Sequence, residues 1–163
     1  MSQYSFRDFI FFLVTVLFAM MLTVLPMPAQ LQFCRPNWLL LTLFFWFLYA
    51  LPMMRLWCVW SIGLFQDLLL ASPLAMHALS YVLLMYFLSF FRIRIAKLPL
   101  WQQVLWVLAI SLVLNLFYFV ALVVNHHNVH FSAIIVRGLV NCIIWPWVYR
   151  VLVTFGGWRV AEA

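Results

Sequence analysis

Long apolar runs, separated by charged residues or prolines, dominate the chain from one end to the other. At about 1.5 Å per residue, runs of this length match helices that cross the roughly 30 Å hydrocarbon layer of a membrane. The pattern predicts six helices, which cover residues 9–25, 37–54, 56–71, 74–91, 100–124 and 132–155. Their connections are too short to fold alone, so residues 1–163 are expected to form a single transmembrane helical domain.

The third run is the shortest of the six. A helix over residues 56–71 would be about 24 Å long, which is less than the thickness of the hydrocarbon layer. It is therefore expected to lie in thinned bilayer, to be shielded by neighbouring helices, or to stop before it crosses. The last case would make a bundle of five crossings the alternative to six.

Composition supports a membrane location. The chain is 69% hydrophobic and 7% charged, whereas a soluble domain is about half apolar and roughly a quarter charged. There is too little polar surface to cover a water-facing exterior, so the predicted fold class is an all-α integral membrane protein with a compact bundle of helices. A basic face in water, which nucleic-acid binding needs, is missing, and no nucleic acid is expected as a partner.

The basic residues predict an orientation. With both termini in the cytoplasm, the outer connections carry only Arg35, and Arg137 lies within the last helix. RIRIAK at residues 92–97 is then an orientation signal beside the lipid headgroups. The run 9–25 is interpreted as a retained first helix, since it is longer than the core of a cleavable signal. The basic residues expected at the cytoplasmic ends are Arg7, Arg55, Arg92, Arg94, Lys97, Arg150 and Arg159.

One acid lies inside an apolar run. The chain has three acids, and Asp8 and Glu162 lie near its ends, so Asp67 alone is embedded. An acid in the middle of a membrane helix costs roughly 2.5 to 3.5 kcal/mol, so Asp67 should face the bundle and find a partner. Gly63 and Ala71 lie four residues on either side, which predicts a small-residue face that lets another helix pack closely.

Other polar residues are expected at the same depth as Asp67, in the outer half of the bundle. An ion pair of Asp67 with Arg35 or Arg137, supported by His77 or an asparagine, would meet its need for a partner. Two interpretations stay open: the cluster holds the outer half of the bundle together, or it recognises a ligand, a proton or a partner. The predicted structural polar cluster is Asp67, Arg35, His77, Arg137, Asn115 and Asn141.

Signals for an enzyme or a metal centre are weak. With only Asp67 embedded, a mechanism that needs two acids is excluded, and no phosphate-binding loop or metalloprotease motif is present. The histidines of NHHNVH, residues 125–130, have no acid or cysteine nearby to complete a metal site. No catalytic residues, no metal and no cofactor are therefore predicted.

Six short motifs, in order along nearly the whole chain, resemble the rod shape-determining protein MreD family. They are RPNW at 35–38, ALP at 50–52, G-x-x-x-D at 63–67, SPLAMHAL at 72–79, LWQQ at 100–103 and WPW at 145–147. The chain departs from the family pattern at Ala75, and at Ala71 and Ser72, where glycine is common. These departures weaken the prediction of a tight glycine turn in that connection.

The resemblance implies a non-enzymatic scaffold or regulator of cell elongation in the bacterial inner membrane, needed for rod shape. Partners implied are MreC most directly, MreB, RodA and a class B penicillin-binding protein, together with membrane lipid. It also implies a fold similar to the six-helix substrate-binding subunits of energy-coupling-factor transporters. The alternative is a small-solute transport or ligand-binding subunit that uses the outer polar cluster. The candidate partner surface is Arg35, Pro36, Asn37, Trp38, Trp145, Pro146 and Trp147.

Overall fold

A computed structural model describes residues 6–26, 35–49, 56–73, 75–124 and 132–156. Every regular element in these ranges is a helix, which confirms the all-α prediction. The helices are α1 (Phe6–Val24), α2 (Trp38–Tyr49), α3 (Leu56–Leu69), α4 (Met76–Ser89), α5 (Arg92–Ala96), α6 (Leu100–Val124) and α7 (Ser132–Gly156). The histidine-rich segment 125–130, the ALP motif at 50–52, Arg55, Arg159 and Glu162 lie outside the described ranges.

Helix bounds differ from the predictions on both sides of the α3–α4 connection. Helix α3 ends at Leu69, not at residue 71, because Ala71 adopts a left-handed backbone conformation that no α-helix continues through. Helix α4 begins at Met76, two residues later than predicted. Ala71 therefore lies in the turn and does not extend the helical face that Gly63 and Asp67 share.

Helix α2 is the core of the bundle. All ten residues from Leu39 to Leu48 are buried, and the helix contacts α1, α4, α5 and α7. A helix that is apolar on all sides is stable only when other elements surround it, which is the position α2 occupies. Trp46 of α2 is wholly buried and its indole Nε1 donates to the Thr15 hydroxyl of α1 at 3.0 Å. This bond satisfies the one polar atom of a large core side chain.

Three of the described helices are long and apolar enough to cross a membrane: Phe6–Val24, Leu100–Val120 within α6, and Ile134–Gly156 within α7. Helices α2, α3 and α4 are apolar but shorter, with 12, 14 and 14 residues. Helix α3 packs mainly against α4, and α6 mainly against α7. These features fit a multi-pass membrane protein, and the number of crossings stays a prediction.

The RIRIAK segment forms a short helix, α5, that the sequence did not predict. Arg92 donates from Nε to the carbonyl of Phe47 at 3.0 Å, in the last turn of α2. A cation at this position satisfies a helix carbonyl that has no partner of its own and complements the negative end of the helix dipole. Ile95 on the same helix is fully buried. The segment thus caps the C-terminal end of α2, in addition to its predicted role in orientation.

Candidate functional site

The connection between α3 and α4 is a tight turn built on two alanines. Ala71 has φ 49° and Ala75 has φ 68°, both in the left-handed region. This conformation costs a residue with a β-carbon about 1 to 2 kcal/mol, whereas glycine adopts it without that cost. The chain forms the turn without glycine, so other contacts must hold it.

We expect Ala71→Gly to raise the free energy of unfolding by about 1 kcal/mol, since glycine adopts the left-handed region without the steric cost. Its matched control is Ala109→Gly on the exposed face of α6, which should lower the free energy of unfolding by about 1 kcal/mol. Denaturant unfolding of the purified protein in a mild detergent measures both. A loss of stability in both variants would mean that the turn is not left-handed at residue 71.

Asp67 provides those contacts from the last turn of α3. Its side chain is fully buried. One carboxylate oxygen, Oδ1, accepts from the Ser72 hydroxyl at 2.8 Å, from the His77 backbone N–H at 3.0 Å and from His77 Nδ1 at 2.7 Å. The other oxygen, Oδ2, accepts from the Ala78 backbone N–H at 3.3 Å.

The carboxylate caps α4 from outside that helix. His77 and Ala78 are the second and third residues of α4, whose N–H groups have no partner within the helix. Ala75, in the N-cap position, makes no side-chain hydrogen bond, so Asp67 takes over the role that a serine or aspartate usually fills there. Its negative charge also complements the positive end of the α4 dipole.

The predicted ion pair of Asp67 with Arg35 or Arg137 is therefore wrong. Within the described ranges, the titratable partner of Asp67 is His77, which donates to it from Nδ1 and from the backbone N–H. The reason is local: the tight turn folds the start of α4 back over the end of α3. Four donors that lie within eleven residues of Asp67 then bind its carboxylate, three of them at Oδ1 and one at Oδ2.

A polar cavity of about 310 Å³ lies beside this turn, at the end of the bundle where α1 and α3 end and α2 and α4 begin. It brings together Arg35, His77, Asn115 and Arg137 of the predicted cluster, with Ala71 of the turn. Asp67 is buried behind His77 and does not line it. The complete lining is Thr23, Arg35, Pro36, Asn37, Gln66, Leu70, Ala71, Ser72, Pro73, His77, Leu114, Asn115, Tyr118 and Arg137.

The two arginines of the cavity are incompletely satisfied. Arg35 donates from Nη2 to the Leu25 carbonyl at 3.3 Å, and the guanidinium carbon of Arg137 lies 5.8 Å from the centre of the Tyr118 ring. Within the part of the chain that the structure describes, the Nε groups of both arginines are buried without a hydrogen-bond partner, as is Nδ2 of Asn115. Both guanidinium groups line the same cavity.

Asn141 does not line the cavity and instead ties three helices together beside it. Its Oδ1 accepts from the Asn37 backbone N–H at 2.9 Å, immediately before α2. Its Nδ2 donates to the Ser111 hydroxyl of α6 at 2.9 Å. Both Asn141 and Ser111 are fully buried. This pair of bonds holds the start of α2, and hence Arg35, against α6 and α7.

The predicted partner surface is only partly accessible. Trp145 is wholly buried against Phe44, with 5.0 Å between ring centres, so its place on that surface is wrong. All three residues of WPW are apolar, so the motif does not indicate which of them faces the bundle. The rotation of α7 turns Trp145 inward and leaves Trp147 71% exposed. Pro36 is also buried. The remaining members, Arg35, Asn37, Trp38 and Pro146, are half-buried.

Gln66 and Tyr118 are among the cavity residues that were not predicted from the sequence. Gln66 is buried next to Asp67, and its Oε1 accepts from the Tyr81 hydroxyl at 2.7 Å. The Tyr118 ring lies between Arg137 and the His77 ring, whose centre is 5.8 Å away. Tyr118 follows Asn115 by three residues, so the shared helical face was a usable signal. Gln66 carried no such signal.

The described residues contain no group of three histidines, cysteines or acids that could hold a metal ion. The cavity instead offers guanidinium, amide, imidazole and phenol groups, which bind and orient polar molecules. These groups can donate hydrogen bonds to a polar molecule in the cavity.

Comparison with known proteins identifies the family of the chain. The family described as rod shape-determining protein MreD matches residues 4–155. The rod shape-determining protein MreD of Haemophilus influenzae is 32% identical over 137 residues, which covers 82% of this chain and 83% of the relative. No solved structure matches the chain significantly, so the likeness to energy-coupling-factor subunits stays a prediction. The chain belongs to the MreD family of rod shape-determining proteins.

Proposed function

We propose that the chain is a non-enzymatic scaffold of the bacterial inner membrane that holds the proteins of cell elongation together. It crosses the membrane six times, with both termini in the cytoplasm. It binds MreC directly and couples MreB to the wall synthases RodA and a class B penicillin-binding protein. Membership of a rod shape-determining family supports the general role. The observation that carries the partner-binding part is an apolar groove on the side of the bundle.

The groove has a volume of about 570 Å³ and lies between α1 and α7, with α2 as its floor. On α1 it is lined from Phe11 to Leu22, a rise of about 16 Å. Trp38, of the predicted partner surface, lines it on α2, and Trp147 lines it on α7. Phe18 at 61% and Phe155 at 77% exposure form part of its edges.

The occupant that we assign to this groove is the transmembrane helix of MreC, a single-pass protein. Membrane helices associate through close packing, since lipid is as apolar as the helices themselves, and a groove offers more contact than a convex surface. The groove extends along about three turns of α1 and is almost wholly apolar, which suits an apolar helix. Trp147 and Phe155 would pack against one side of that helix.

Site-specific photo-crosslinking tests this assignment. A photoreactive amino acid at Val151, which lines the groove and is half-exposed, should give a covalent product with MreC in native membranes. The matched control is Leu79, which is equally apolar and 58% exposed but lies on α4. Equal products from both positions, or a product from Leu79 alone, would contradict a binding site in the groove.

A further inference from the structure

We propose that the polar cavity is a binding site for a phosphate monoester group, carried by a lipid headgroup or by a free solute. This inference does not depend on the assignment of MreC to the groove, since it concerns other residues at the end of the bundle. Three observations carry it: an excess of positive charge, three buried donors without partners, and the convergence of these donors from three separate parts of the chain.

The charge excess follows from the way Asp67 is used. Among the described residues, those that line the cavity include Arg35 and Arg137 and no acid. Asp67 follows Gln66 of the cavity lining, but its carboxylate is engaged by donors from Ser72, His77 and Ala78. Charges that are removed from water and left unpaired are costly, so two neighbouring guanidinium groups favour a ligand that brings negative charge.

The unpartnered donors give the site its geometry. The three donors are Nε of Arg35, Nδ2 of Asn115 and Nε of Arg137. Arg35 lies just before α2, Asn115 lies in α6 and Arg137 lies in α7. Asn115 is only 4% exposed, and buried polar groups of this kind are rarely left without a partner. All three side chains line one cavity. A ligand with at least three acceptor oxygens would satisfy the three donors together.

A phosphate monoester meets both requirements. It carries a charge of about −1.5 to −2 at neutral pH and presents three strong acceptor oxygens. A carboxylate brings only one negative charge, and so leaves one of the two arginines without a counter-charge. Arginine is suited to this task because its planar guanidinium forms paired, charge-assisted hydrogen bonds with phosphate oxygens. The Tyr118 ring packs between Arg137 and His77 and keeps the guanidinium at the cavity wall.

The test is ligand-dependent stabilisation of the full-length protein, purified in an uncharged detergent. A ligand that binds only the folded state raises the melting temperature with a saturable dependence on its concentration. One arm uses inorganic phosphate at constant ionic strength. A second uses phosphatidic acid in mixed micelles, against phosphatidylcholine, whose headgroup is a zwitterionic diester. A third uses acetate as the carboxylate probe.

The variants separate binding from folding. Arg137→Gln should weaken the apparent affinity at least about tenfold, since a hydrogen bond to a charged group contributes roughly 1.5 kcal/mol or more. Asn115→Asp supplies an internal counter-charge to the arginines, so it should abolish the response to ligand and leave the protein folded. The matched control is Arg150→Gln, which removes an exposed arginine of α7 and should leave the response unchanged.

The outcomes distinguish the sources. A response to both phosphate and phosphatidic acid assigns the site to the phosphate group itself, whichever molecule carries it. A response to phosphatidic acid alone assigns it to a lipid headgroup, and a response to phosphate alone to a solute. The proposal is overturned by no response in the first two arms, by an equal response to acetate, or by an equal loss in Arg137→Gln and Arg150→Gln.

Discussion

Asp67→Ala is expected to lower the free energy of unfolding by about 3 to 5 kcal/mol, because several buried donors lose their acceptor and each such loss costs about 1 to 3 kcal/mol. The substitution leaves two backbone N–H groups at the start of α4, the Ser72 hydroxyl and the His77 ring without their acceptor. It also removes what holds two alanines in left-handed conformations. Denaturant unfolding in detergent, followed by helical circular dichroism, measures the loss.

Two further variants show which part of the carboxylate matters. Asp67→Asn keeps an acceptor in the place of Oδ1 and loses the bond from the Ala78 N–H, so it should cost about 1 to 3 kcal/mol. Ser61→Ala, on the exposed face of the same helix, is the control and should stay within about 0.5 kcal/mol of the parent. If the free energy of unfolding of Asp67→Ala also stayed within that limit, Asp67 would not act as the cap of α4.

Gly63→Ala should be the second most damaging substitution, although alanine is normally the better helix former by about 1 kcal/mol. A β-carbon at residue 63 would lie 2.4 Å from the α-carbon of Ala78 and 2.8 Å from its backbone nitrogen. Both atoms belong to the backbone of α4, so the helices must separate. Overpacking of this kind costs about 1 to 3 kcal/mol. The separation also lengthens the bond from the Ala78 N–H to Asp67, so we expect the upper end of that range.

Gly138→Ala is the matched control for Gly63→Ala. The new β-carbon would meet the terminal Cδ2 of Leu112 at 3.2 Å, and this side-chain atom can move. The gain in helix propensity should offset the small repacking, which leaves the free energy of unfolding within about 1 kcal/mol of the parent. A stable Gly63→Ala protein alongside a stable Gly138→Ala protein would mean that α3 and α4 do not pack as closely as described.

Much of the architecture follows from the sequence because it depends on composition and on the lengths of the apolar runs. A run of about 20 apolar residues has few stable alternatives to a helix, and the run at residues 100–124 coincides with α6. The need of Asp67 for a partner was predictable as well, since a buried carboxylate is costly in any fold. Family membership followed from the order and spacing of six motifs, none of them specific alone, and the comparisons confirm it.

The partners of these residues depended on the way the helices are rotated and joined. The rise per residue gives the depth of a side chain in a helix, so Arg35, His77, Asn115 and Arg137 could be expected at one level, and all four line the cavity. It does not give the direction in which the side chain points when the whole helix is apolar, which is why Trp145 was wrongly expected at the surface. Nor does it show that two alanines adopt left-handed conformations and fold α4 back onto Asp67. Contacts across the turn stabilise it. The turn brings His77 into hydrogen-bond distance of Asp67, so the two arginines face the cavity without that carboxylate.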